Sequence, residues 1–163
     1  MDWHWWLAAA IAILVAVGVA LLLRPLRASW RQARFEGARR DFHRQRERLE
    51  AKFVQLGTAG DRAHAPRWID GEFDDDVAYV RNRATGELSA FVAVMLEMDP
   101  SGEQGLALGE GGNRFRAGTA VFRFDGGHWE TDGRAIFNLS PAEAIRFFHR
   151  DLELVGQEVV ENL

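Results

Sequence analysis

The densest set of potential ligand groups is the run Asp70-Gly71-Glu72-Phe73-Asp74-Asp75-Asp76. Asp70, Glu72 and Asp74 stand where the first three oxygen donors of a calcium loop stand, one at every second residue. Such a loop then needs a glycine and a closing glutamate, and at those positions the chain has Asp75 and Arg81. The cation motif fails. The run reads as a solvated turn between strands, with its charge free to pair with cations of the basic segment 27–52.

Other chemistry is sparse. Cysteine is absent, which removes disulfides, thiolate zinc sites and thiol nucleophiles. His64 lies in a linker, His128 opens a strand and His149 sits on a helix, without the spacing of a ligand set. The phosphate-cradling glycine loops, the G-x-S-x-G elbow and the H-E-x-x-H pair are all missing. Asn138-Leu139-Ser140 is a glycosylation triplet, but Pro141 follows and a helix begins there. No catalytic residue, cofactor or metal is therefore expected. If the domain held a pocket for a small ligand or a substrate, the polar groups placed to converge in its sheet are Tyr79, Arg123, Trp129 and Asp132.

The elements that would position such groups fall into three unlike pieces. The net charge of −4 is made of about −1 over residues 1–23, +6 over 24–56 and −9 over 57–163. A split of this kind points to a membrane or polyanion contact for the basic piece. The acidic remainder argues against nucleic acid, whose phosphates need clustered cations.

Residues 5–23 are nineteen residues without a charge, ten of them Leu, Ile or Val. As a helix they span roughly 28 Å, close to the ~30 Å hydrocarbon thickness of a bilayer. A cleaved signal peptide needs a basic start and a small-x-small site. The chain begins Met1-Asp2-Trp3-His4, and the run ends Leu21-Leu22-Leu23-Arg24-Pro25, so an uncleaved anchor over 1–24 is expected. Arg24, Arg27 and Arg31 head a group of arginines at its C-terminal end. Positive charge stays on the cytoplasmic side, which puts the N-terminus outside and residues 24–163 inside the inner (plasma) membrane. Trp3, Trp5 and Trp6 then lie at the outer interface, which favours indole rings.

Pro25 should kink or break the helix near Arg24. A basic amphipathic juxtamembrane helix over 25–56 follows, rich in good helix formers. Phe35, Phe42, Leu49 and Leu56 recur every seven residues, and Ala38 and Phe53 widen that stripe. The companion heptad positions Gln45 and Lys52 are polar, so the seam is too weak for a strong coiled coil. Phe35, Phe42, Leu49 and Phe53 are instead partner-interaction candidates. Their cover is a protein partner, a second copy, or the chain's own domain.

Residues 57–163 read as a small α+β domain, with Gly57 capping the helix before it. Strands are expected over 67–73, 76–82, 87–98, 114–124 and 128–137. A hairpin loop lies at Ala84-Thr85-Gly86, and a glycine-rich surface loop over 99–112. Ser140-Pro141-Ala142-Glu143 is a capping box, opening a C-terminal helix that buries Ile145, Phe148, Leu152 and Val155. The order helix, about five mainly antiparallel strands, helix resembles the cone-shaped cystatin and nuclear-transport-factor-2 folds, and the resemblance covers element order alone. The expected function is a single-pass, membrane-anchored binding or assembly module, non-catalytic, with the bilayer and a protein partner or second copy as its contacts.

Overall fold

The computed structural model describes residues 3–59, 67–99 and 114–160; up to residue 31, the side chains described are those of Trp6 and residues 10–18. The chain divides into two units, 1–40 and 41–163. The glycine-rich loop expectation falls almost wholly outside the described residues.

The first unit holds the N-terminal part of α1 (Trp3–Ala59). The helix continues through Pro25, so the expected break is absent. A proline removes one N–H from the ladder and strains the preceding turn, but apolar and Arg-rich flanks sustain the helix around it. Residues 10–17 are all apolar and all exposed. Among the described residues, no helix is long and apolar enough to cross a membrane. The uncharged run 5–23 extends past the described side chains, so the anchor expectation lies partly outside them.

The second unit is a five-stranded antiparallel sheet with the C-terminal part of α1 across one face. Its strands are β1 (Trp68–Asn82), β2 (Leu88–Met98), β3 (Phe115–Asp125), β4 (His128–Phe137) and β5 (Leu152–Glu158). A short helix α2 (Pro141–Phe147) separates β4 from β5. The order across the sheet is β4-β3-β2-β1-β5, a four-strand meander whose open edge is closed by the last strand. This is an α+β unit, as the residue pattern implied.

Strand alternation assigns the faces. Tyr79, Ala90, Val92, Phe122 and Trp129 lie on the α1 face and are buried. Ala78, Val80, Phe91 and Val121 lie on the other face, where Ala144 and Ile145 of α2 complete a second cluster. β2 is thus covered on both faces over much of its length, which its apolar residues of both parities require.

Two expectations need correction. The segments 67–73 and 76–82 are one strand: the register against β2 shifts between Phe73 and Val77, so Asp74-Asp75-Asp76 is a bulge and not a turn. The C-terminal helix is short and not terminal. It stops at Phe147, and Leu152–Glu158 pairs with β1 as a strand. Sheet closure outweighs the three- and four-residue spacing of Ile145, Phe148, Leu152 and Val155, because β1 would otherwise keep an open edge beside Val80.

Gly57 is helical and buried, so its role is not that of a cap. A Cβ there would lie 2.0 Å from the Trp68 ring, and only glycine lets that ring sit on the helix.

The capping box forms as the sequence indicates. The Ser140 backbone N–H and hydroxyl both donate to Glu143 Oε2, at 2.9 and 2.7 Å, and the Glu143 N–H reaches Ser140 Oγ at 3.4 Å. The Ser140 backbone N–H, and secondly its hydroxyl, hold the Glu143 carboxyl below its ordinary range. The folded form therefore gains stability above the ordinary glutamate pKa and loses it as pH falls through the lowered value. Ser140→Ala is expected to cost about 1 kcal/mol at neutral pH and less in acid, read from urea unfolding at the two conditions. An equal cost at both would show that the carboxylate takes no part.

Candidate functional site

The aromatic stripe of α1 meets the sheet directly. Phe42 lies edge-on to Trp129, Phe122 and Tyr79, with ring centroids 4.9, 5.6 and 6.0 Å away. Phe53 stacks on Trp68 at 5.2 Å and meets Phe73 at 5.6 Å. Phe42, Leu49 and Phe53 are fully or almost fully buried. Of the three covers open to this stripe, the chain's own sheet is the one seen for these residues. Phe35 lies in the first unit and is half-buried.

The polar groups considered for a pocket do not converge. Tyr79 and Trp129 are packed under α1. Arg123 and Asp132 occupy the opposite face, 3.6 Å apart, where Arg123 also lies 3.7 Å from Glu130 and 3.9 Å from Glu87. Parity explains the separation: Arg123 neighbours Phe122 along β3, and Asp132 is three residues from Trp129.

Two polar arrangements join distant parts of the chain. His43 Nε2 and Glu158 Oε2 are 2.6 Å apart, and the Tyr79 hydroxyl donates to the same oxygen at 3.3 Å. They tie α1, β1 and β5 together at one corner. The second is the acidic run. Arg46 donates to the backbone carbonyls of Asp74 and Asp75 and, through Nε, to Glu50 at 2.7 Å. Its side chain is only 15% exposed, against 73% for Asp75, whose carboxylate is 3.8 Å away. Toward the acidic run, the guanidinium therefore serves the bulge backbone more than it pairs with a carboxylate. The expected link between acidic run and basic helix exists, but through carbonyl oxygens. No local signal could have identified either arrangement, since the partners lie far apart in sequence.

Among the described residues, no group of His, Asp and Glu is placed to hold a metal ion. The side chains of Trp3, Trp5, Arg24, Arg27 and Arg31 lie outside the description, and Trp6 is exposed. On the face opposite α1, beyond the reach of α2, Met95 and Phe115 are exposed apolar side chains.

The fold and these contacts define a class, a small α+β domain built on an antiparallel meander with its core closed by a helix. No known protein family, no curated protein and no solved structure matches the chain.

Proposed function

We propose that the chain is a single-pass, membrane-anchored binding or assembly module. It holds a protein partner or a second copy at the cytoplasmic face of the inner (plasma) membrane and catalyses no reaction. The observation that supports this reading best is the exposed apolar helix over residues 10–17, within an uncharged run of nineteen residues. A helix apolar on every side has no stripe to lay on a core; lipid is the medium that suits it. In this reading Trp3, Trp5 and Trp6 lie at the outer interface and Arg24, Arg27 and Arg31 at the inner one.

Phe42, Leu49 and Phe53 are committed to the core, so partner contact falls to exposed side chains such as Met95, Phe115 and Phe147. The finer likeness to cone-shaped cystatin-type and nuclear-transport-factor-2-type folds belongs to the same proposal. It rests on a helix laid across an antiparallel sheet and brings no activity with it.

Alkaline carbonate washing of membranes is expected to leave the protein in the pellet. Protease added outside spheroplasts is expected to spare residues 41–163. Recovery in the carbonate supernatant would defeat the anchor, and digestion of the domain would reverse the topology.

A further inference from the structure

We infer that the inner end of the proposed anchor is an anionic-lipid contact formed by Arg24, Arg27, Arg31 and Arg34. The inference rests on the membrane reading above and goes beyond it by naming the lipid class. Its basis is the difference between two stretches of arginine on one helix.

Downstream, three of the arginines have carboxylates beside them. Arg39 is 3.9 Å from Glu36, Arg44 is 3.6 Å from Asp41, and Arg46 is 2.7 Å from Glu50. Upstream there is no carboxylate to share: no acidic residue occurs between Asp2 and Glu36. The four arginines at 24, 27, 31 and 34 form an isolated block of +4 directly after the uncharged run.

The backbone gathers them further. α1 remains helical through this segment. At about 100° per residue, their spacings of three, four and three place all four on one arc of roughly 80°. From Arg24 to Arg34 the helix rises only about 15 Å, so the block stays within about two Debye lengths of the bilayer surface. A cationic arc at that depth, without internal carboxylates, fits a layer of phosphate headgroups. Guanidinium groups suit it further, because they take phosphate oxygens two at a time.

One cation close to an anionic surface is worth roughly a fivefold preference, and several act together. The test uses the full-length protein in phosphatidylcholine vesicles containing a minority of brominated lipid, either phosphatidylglycerol or phosphatidylcholine. With Trp3, Trp5 and Trp6 changed to Phe in every form tested, Trp30, inside the basic block, is the one tryptophan near the bilayer and reports contact through quenching of its emission. Brominated phosphatidylglycerol is expected to quench at about one fifth, or less, of the mole fraction needed with brominated phosphatidylcholine. In the variant carrying R24Q, R27Q, R31Q and R34Q that preference should vanish while the protein still floats with the vesicles. A control carrying R39Q, R44Q and R48Q should keep it, because position matters and not total charge. Inorganic phosphate at matched concentration should not compete. Equal quenching by both lipids in wild type, equal loss in both variants, or competition by free phosphate would each overturn the inference and leave the anchor standing. Failure of wild type to float would overturn both.

Discussion

A fragment of residues 41–163 is expected to fold cooperatively, and one of residues 57–163 is expected to stay unfolded or aggregate. The shorter piece contains every strand, and by strand pattern alone it looks self-sufficient. It lacks Phe42, Leu49 and Phe53, which are buried in the α1 layer, the two rings lying against one face of the sheet. Burying each of these side chains is worth about 1.5–3 kcal/mol. Their loss also bares Tyr79, Phe122 and Trp129, against a total stability of about 5–15 kcal/mol for a domain. The sum is enough to remove the folded state. Trp68 and Trp129 are the only tryptophans in either fragment, and both are buried. Blue-shifted emission with a sharp urea transition is expected from 41–163, and red-shifted emission from 57–163. A compact 57–163 with buried tryptophans would show that the helix is dispensable.

Phe42→Ala in the 41–163 fragment is expected to cost about 3–5 kcal/mol, the range for truncating a core aromatic. The side chain is completely buried and touches three rings of the sheet, so little can collapse into the space it leaves. Phe147→Ala is the control. That ring is 69% exposed, and its loss should change stability by no more than about 0.5 kcal/mol. Urea midpoints on the two variants decide the matter. A Phe42→Ala protein of unchanged stability that fails to assemble with a partner would make the ring an interface residue instead of a core one.

The outline of the domain was legible wherever one element's own pattern was sufficient. In β2, Leu88, Ala90, Val92, Val94, Leu96 and Met98 alternate, and all are buried on the α1 face. β4 runs over His128–Phe137, as its flanking turn suggested. Ser140 and Glu143 announced a helix start through contacts only three residues apart. Reading failed where a remote partner decides. Leu152–Glu158 is a strand because β1 needs a neighbour, and nothing inside those seven residues states it. Asp74-Asp75-Asp76 resembles a turn until Arg46 is seen feeding its carbonyls. Likewise the stripe on α1 was plain, but its cover was a choice among three. The parity of Tyr79, Ala90, Phe122 and Trp129 makes that choice, once the strands are in register.

Closure of β1 by β5 sets the order in which this chain can mature. β1 to β4 join neighbours through short connections or the 99–114 segment, and short-range hairpins form within microseconds. Val77 must wait for Glu158 and Tyr79 for Gly156, so a ribosome has to deliver residues 152–158 before the sheet is complete. Until then, Val77, Ala78, Tyr79 and Val80 present an apolar edge with unpaired backbone groups, the kind that accepts a strand from another molecule. The contact from His43 and Tyr79 to Glu158 forms only at that last step. A nascent chain stalled before residue 152 is thus exposed to strand exchange along β1, and once β5 is made it covers that edge from within the same chain.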